Sequence, residues 1–187
     1  MREEIIELLK VSGKTGIQKL ITHMDQEGFF DAPCSGDHHL AKEGGLAEHS
    51  MNVYRLMCEL DATFKAGLDE GSMIICGLLH DLGKMGDHHK PNYVPNILKT
   101  TGKQSDKKPF ETNKELLYVP HEIRSIAIAE RFISLTEDEE FAILYHNGMY
   151  GDLRYSYSGK ETPLSMILHF ADLWASRVTE NEGKEEK

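Results

Sequence analysis

The chain contains 187 residues, of which 40% are hydrophobic and 28% are charged. These values are typical of a globular protein, and we predict a single domain over residues 1–180 and a charged, disordered tail over residues 181–187. The formal net charge of −10 argues against a broad nucleic-acid groove, because a phosphate backbone requires clustered Lys and Arg. A small anionic substrate is still compatible, because a bound metal and a few local cations can make one pocket positive.

Three features of the sequence predict a cytoplasmic protein without a membrane partner. The cysteines Cys34, Cys58 and Cys76 are odd in number and lack CxxC spacing, which disfavours a disulfide framework or a zinc–thiolate site. The first ten residues, MREEIIELLK, lack the apolar core of a signal peptide. In addition, no apolar run approaches the roughly 18 residues of a membrane span.

Apolar periodicity predicts an all-α bundle of about six to seven helices. The predicted helices cover residues 2–10, 15–27, 46–65, 70–82, 121–134, 136–147 and 163–179. Thr136 with Glu139 forms a predicted capping box, and Thr162-Pro163 is a predicted helix start. Residues 31–45 and 148–161 are predicted loops. A long irregular loop is predicted over residues 84–119, with short strands near 92–98 and 115–119.

The helix predicted over residues 70–82 is apolar on nearly all sides and ends in His80 and Asp81, followed by Gly83. A buried helix that ends in two polar groups is unusual, because those groups need partners. Other residues of metal-ligand type lie on other predicted helices, namely His49, His121, His146 and Asp172. Helical bundles build metal sites from facing helices, and a mixed imidazole and carboxylate set suits Fe, Mn, Zn, Co or Ni better than calcium. Taken singly, His49 or His146 is better explained as a hydrogen-bonded core group.

The segments around these residues read GGLAEHSMNV, HDLGK and LHFADLWASR. They resemble the HD-domain metal-dependent phosphohydrolases, and especially the small bacterial and phage members, over about residues 38 to 178. The resemblance implies a compact HD-domain helical bundle with a long irregular loop after the His-Asp helix, so that residues 1–180 would be a single HD domain. It also implies a metal site formed by His49, His80, Asp81 and Asp172.

The resemblance leaves two interpretations of His121 and His146. In members with two metals, these histidines would bind the second ion and Asp81 would bridge the pair. In members with one metal, such histidines bind substrate or act in acid–base catalysis. We therefore expect one or two divalent transition metals per chain, of the Fe, Mn, Co, Ni or Zn type.

Asp81 and Lys84 are the predicted catalytic residues. Lys84 follows Asp81 by three residues and is a phosphate partner by resemblance, although a cation that stabilises a helix C-terminus is an equal explanation. Weaker candidates for substrate binding are His39, Arg124 and Arg177. His169 is a candidate to support a ligand, and the tyrosines Tyr150, Tyr155 and Tyr157 are expected to cover the bundle rather than to stack on a base. His23, His38, His88 and His89 are expected to be surface groups.

These observations predict a phosphomonoesterase or phosphodiesterase that acts on a nucleotide or another small phosphoester through metal-activated water. Extended nucleic acid is not an expected partner, and the oligomeric state is open. Two alternatives are a di-iron HD-fold oxygenase with the same six ligands and a non-catalytic nucleotide-binding module. The lysines of residues 84–119 make a lid conceivable, but a solvated loop is the simpler expectation.

Overall fold

Eight α-helices form the framework of residues 1–181, the part of the chain that the computed structural model describes. In chain order they are α1 (Arg2–Val11), α2 (Ile17–Gln26), α3 (Gly45–Phe64), α4 (Glu70–Leu79), α5 (His121–Ala129), α6 (Glu137–Leu144), α7 (Arg154–Tyr157) and α8 (Pro163–Arg177). The predicted all-α fold is confirmed. The four-residue α7 is the one helix in this set that the sequence did not predict.

Capping groups in the sequence define several helix starts. Thr136 and Glu139 form the predicted capping box of α6, and Thr162 with Ser165 forms another at the start of α8. Asp69 caps α4 by accepting a hydrogen bond from the Ser72 backbone N–H. Such caps satisfy backbone donors that would otherwise lack a partner within the first helical turn. Helices α4, α6 and α8 are therefore anchored at one end, and each carries or precedes a candidate ligand.

Helix ends were predicted less well than helix starts. The helix predicted over residues 121–134 ends at Ala129, and the Glu130 carboxylate accepts a hydrogen bond from the Leu135 backbone N–H to close the following turn. Short 3₁₀ turns follow three of the other helices, over Leu82–Met85, Gly148–Tyr150 and Thr179–Asn181.

The long connection between α4 and α5 contains two small antiparallel pairs. Strand β1 (Gly86–Asp87) pairs with β2 (Lys90–Pro91), and β3 (Tyr93–Pro95) pairs with β4 (Phe110–Thr112). The strand predicted near residues 92–98 is present, but the one predicted over residues 115–119 is wrong. The apolar run there has no strand partner in the described chain, and Leu117 and Tyr118 are exposed.

Helix α4 lies between two halves of the core, as its apolar sequence predicts. Residues 73–79 are all buried. Ile75 and Leu79 pack with side chains of α1 and α2, whereas Met73 and Cys76 pack with side chains of α6 and α8. Helix α3 contributes to both halves and packs along α4 and α8. The C-terminal end of α4 is therefore surrounded by protein.

Close packing places the end of α4 against the start of α5. The backbone N–H of Gly83 donates a hydrogen bond to Ser125 Oγ at 2.8 Å. A Cβ atom at Gly83 would collide with the His121 carbonyl and would lie 2.8 Å from Arg124 Cβ. The absence of a side chain at this position therefore lets His121 approach the His80-Asp81 turn.

The tail predicted over residues 181–187 falls mostly outside the described residues, which end at Asn181. Asn181 itself belongs to the last 3₁₀ turn and donates a hydrogen bond to the Ser176 carbonyl at 2.7 Å. None of the helices in residues 1–181 combines the length and the apolarity that a membrane span needs.

The contact at Gly83 generates a stability prediction. We expect Gly83→Ala to lower the free energy of unfolding by about 1–3 kcal/mol, because overpacking a tight contact forces neighbouring backbone to move. Urea unfolding would measure the change. Glu59→Ala, at an exposed position of α3, is the control and should stay within about 0.5 kcal/mol of the unmodified chain. An equally small effect of Gly83→Ala would contradict the proposed close packing.

Candidate metal centre

Four predicted ligands converge where α3, α4 and α8 meet. His49 lies on α3, His80 and Asp81 follow α4, and Asp172 lies on α8. His49 Nε2 is 3.3 Å from His80 Nε2, 3.5 Å from Asp81 Oδ2 and 3.2 Å from Asp172 Oδ1. These four side chains form what we call the first ligand group. His49, His80 and Asp81 are buried, with ligand atoms close enough to share one ion.

The second ligand group consists of His121, His146 and the other oxygen of Asp81. His121 Nε2 and His146 Nε2 are 3.2 Å apart, and they lie 3.2 Å and 3.5 Å from Asp81 Oδ1. His121 begins α5, and His146 follows α6. The sequence therefore identified all six residues that meet here, and Asp81 directs one oxygen to each group.

Hydrogen bonds to the outer ring nitrogens orient the histidines. His80 Nδ1 donates to the Gly77 carbonyl at 3.1 Å, and His146 Nδ1 donates to the Ile143 carbonyl at 2.7 Å. Because a carbonyl can only accept, Nδ1 carries the proton and Nε2 presents its lone pair in the neutral ring. Both rings therefore present a metal-binding nitrogen to the interior of the site.

The unsatisfied atoms of the centre fit a metal ion. Both carboxylate oxygens of Asp81 are buried and accept no well-formed hydrogen bond in the described chain, although Oδ2 pairs with the Lys84 ammonium at 2.6 Å and ring nitrogens lie near both oxygens. The Lys84 ion pair leaves Oδ1 without a well-formed hydrogen bond, which is costly for a buried charged group. Metal ions held by the Asp81 oxygens and the surrounding Nε2 atoms would satisfy these groups. The donor set of imidazole nitrogen and carboxylate oxygen matches the divalent transition metals predicted from the sequence.

The protonation states suit metal binding at most of these residues. Burial alone would raise the pKa of Asp81, but Lys84 and His80 outweigh it and hold the pKa well below its usual range. Burial also acts to raise the pKa of Asp172, but the neighbouring His49 outweighs burial and lowers this pKa. Burial lowers the pKa of His146 to about 3, so that this ring is neutral at pH 7. Ionised carboxylates and neutral imidazoles are the forms that bind metals.

His49 is the exception, and it identifies a proton that a metal would displace. Burial acts to lower the pKa of His49, but Cys34 and the carboxylates of Asp172 and Glu180 raise it well above its usual value. In the absence of metal, a proton between His49 and Asp172 therefore occupies part of the first ligand group. Metal binding at this position would release that proton.

Glu180 is the residue of the centre that sequence reasoning missed. The sequence placed it at the edge of a charged tail, but its side chain is only 1% exposed. Its carboxylate accepts hydrogen bonds from His49 Nδ1 at 2.9 Å and from Asn52 Nδ2 at 3.1 Å. Nothing in the acidic sequence around Glu180 distinguishes it from the other glutamates there.

A cavity of about 410 Å³ opens beside the ligand groups. Three of the four predicted substrate-binding residues border it: Lys84, His39 and Arg177. The Lys84 ammonium is 2.6 Å from Asp81 Oδ2, and Arg177 has no ion-pair partner within residues 1–181. His39 Nε2 is 3.3 Å from Cys34 Sγ, and burial lowers the pKa of His39 to about 4, so that the ring is neutral.

Other candidates lie elsewhere or have different surroundings. Arg124 does not border this cavity; it is buried and donates a hydrogen bond to the Leu117 carbonyl at 2.6 Å. His169, a candidate to support a ligand because it precedes Asp172 by one turn, donates to the His146 backbone carbonyl at 2.8 Å. Of the three tyrosines expected to cover the bundle, Tyr157 is buried against Tyr145, but Tyr150 and Tyr155 are exposed, and Tyr150 borders the cavity.

Comparison with protein families finds one described as HD domain, which matches residues 46–175. This match covers more than half of the chain and includes all six candidate ligand residues. The chain therefore belongs to the HD-domain family, a superfamily of metal-dependent hydrolases. Searches among curated proteins and among solved structures found no match.

The shared position of Asp81 generates a prediction about metal content. We expect Asp81→Ala to lose metal from both ligand groups, because each group then lacks its carboxylate oxygen. Elemental analysis after purification without chelators would measure metal per chain. A chelator should destabilise the unmodified protein, by about 2.7 kcal/mol if metal was present at 100 times its Kd, and should leave Asp81→Ala unchanged.

Asp37→Ala is the matched control, since Asp37 borders the cavity but belongs to neither ligand group. It should retain the full metal content. If Asp81→Ala retained metal at the level of the unmodified chain, the assignment of Asp81 as the shared ligand would be wrong.

Proposed function

We propose that the chain is a phosphohydrolase that cleaves a small phosphoester, most favourably a nucleotide, in the cavity beside the two ligand groups. The observation that carries the proposal is the position of Lys84. Its ammonium lies 2.6 Å from the shared carboxylate of Asp81 and borders the cavity. A cation beside a metal centre is suited to phosphoryl oxygens, which carry increasing negative charge in reactions of this type.

In this proposal, one set of side chains holds metal and another binds the substrate. His49, His80, Asp81 and Asp172 would hold one ion, and His121 and His146 with Asp81 would hold another. Bound divalent metals supply an activated water and positive charge for the phosphoryl group. Lys84 would hold a phosphoryl oxygen by a charge-assisted hydrogen bond, which is stronger than a neutral one.

The cavity favours a small molecule over a polymer. Its volume of about 410 Å³ lies at the lower end of the roughly 300–1,000 Å³ that is common for small-molecule sites. Tyr150 presents an exposed ring at the rim, and the Asn147 side-chain amide has no hydrogen-bond partner in the described chain. A ring for stacking and an amide for hydrogen bonding would suit a nucleobase, with the phosphate directed towards Lys84.

The test is to measure metal content and phosphate release on the same preparation. Nucleoside monophosphates, diphosphates, triphosphates, cyclic nucleotides, ribose 5-phosphate and p-nitrophenyl phosphate would be screened with Mn, Fe, Co, Ni and Zn. Metal-dependent phosphate release, strongest with a nucleotide, is the expected result. Two irons with oxygen uptake and no phosphate release would favour an oxygenase, and nucleotide binding without turnover in every metal would favour a binding module.

The role of Lys84 generates a kinetic prediction. Lys84→Met keeps the length of the side chain but removes the charge, and we expect kcat/KM to fall by about 10²–10³. Metal content should not fall, because the ammonium competes with metal for Asp81. Lys90→Met is the control, since Lys90 contacts the Glu115 carbonyl at an exposed position. Unchanged kcat/KM in Lys84→Met would refute the assigned role.

Arg177 generates a separate prediction about substrate binding. Loss of one charged hydrogen bond costs about 1.5–3 kcal/mol, so we expect Arg177→Gln to raise KM roughly 10- to 100-fold. The value of kcat should change little, because Arg177 contributes to binding rather than to the reacting group. Arg55→Gln, which alters an exposed ion pair with Glu4, is the control. A fall in kcat with constant KM would place Arg177 at the reacting phosphate instead.

A further inference from the structure

The last described turn of the chain reaches the metal centre from outside the family match. The HD-domain match ends at residue 175, whereas Glu180 lies in the 3₁₀ turn Thr179–Asn181. We propose that Glu180 is a positioning residue that raises metal affinity by holding His49 in its ligand orientation. This inference rests on the metal centre of the proposed function but not on any particular substrate.

Glu180 is buried and hydrogen-bonded to two side chains of α3. Both of its oxygens are within hydrogen-bond distance of His49 Nδ1, at 2.9 Å and 3.1 Å. One of them also accepts a hydrogen bond from Asn52, which lies one turn after His49 on α3, at 3.1 Å. The side chain of Glu180 is 1% exposed and that of His49 is 0% exposed. A buried carboxylate with two donors from one helix is held in a defined position.

The chemistry of such a contact favours metal binding. The carboxylate accepts a hydrogen bond from the Nδ1–H group and thereby fixes the ring so that Nε2 faces the first ligand group. Its negative charge also makes Nε2 a better electron donor to a metal. His49 would otherwise be the least constrained histidine of its group, because His80 is already held by the Gly77 carbonyl at 3.1 Å.

Glu180 also connects the metal centre to the cavity wall. One of its oxygens is 3.8 Å from His39 Nε2, and His39 borders the cavity. The negative charge of Glu180 therefore lies behind both a ligand and a wall residue. Glu180 is not needed to hold the turn Thr179–Asn181 in place, since the Asn181 side chain already attaches this turn to the Ser176 carbonyl at 2.7 Å.

Because Asn181 attaches the turn separately, the effect of Glu180 on His49 can be distinguished from the effect of loosening the turn. Metal affinity would be measured by competition with a chromophoric zinc chelator on the full chain, without substrate. We expect Glu180→Ala to weaken zinc binding about 10- to 100-fold, the usual effect of removing such a supporting contact. Glu180→Gln should recover part of the loss, because the amide oxygen can still accept the Nδ1 proton.

Asn181→Ala is the matched control, since it removes the anchor of the turn but leaves the Glu180 carboxylate. It should change zinc affinity less than threefold, and thermal unfolding would verify that every variant is folded. In the zinc-bound protein, the histidine ring spectra should assign His49 as protonated at Nδ1, and this signal should exchange faster with water in Glu180→Ala.

Three results would overturn the inference: unchanged affinity in Glu180→Ala, equal losses in Glu180→Ala and Asn181→Ala, or no recovery in Glu180→Gln. A chain that binds zinc with the expected pattern of affinities but releases no phosphate would refute the proposed function and leave the positioning role intact. A chain that binds no metal at all would refute both.

Discussion

The burial of one carboxylate governs the rest of this structure. Asp81 lies at the end of the central helix α4, with each oxygen directed to a different group of histidines. Asp81 pairs with the Lys84 ammonium, whereas Asp172 and Glu180 contact His49, so the charge balance without metal depends on the proton that His49 carries. Buried charge of this kind is tolerated only when it is paired or coordinates metal. Metal binding would displace the His49 proton and pair the remaining carboxylate charge, so metal binding and folding stability should be coupled.

The helical framework holds these groups at fixed positions. Helix α4 contributes to both halves of the core, so the His80-Asp81 turn cannot move without disturbing buried side chains on either side. Caps fix the starts of α4, α6 and α8. Ligands carried on packed helices are held more accurately than ligands on loops. By contrast, the cavity is bordered by exposed side chains, among them Tyr150 and Arg177, so packing constrains this side of the site less.

Sequence reasoning was most successful where a local pattern reflects a global constraint. An apolar helix that ends in His80 and Asp81 is informative because burial demands partners for both groups, and the caps at Thr136 and Thr162 mark helix starts directly. Sequence reasoning was least successful where a contact depends on tertiary packing. Glu180 lies among similar acidic residues, and only the return of the chain across α3 distinguishes it. The apolar run at Leu117 and Tyr118 suggested a strand, but it is exposed and unpaired in residues 1–181.

The acidic composition of the chain is compatible with the proposed anionic substrate only if a local positive charge in the site attracts that substrate. Among the residues that border the cavity, the carboxylates of Asp37 and Asp172 offset the cations of Lys84 and Arg177. The wall itself is therefore close to neutral and lies within a chain of net charge −10. Bound metal would be the largest local charge in the site, and it would reverse the sign of the potential that a phosphate meets. Recognition of the proposed phosphoester should consequently depend on prior metal binding, since the wall side chains supply contacts but little net electrostatic attraction.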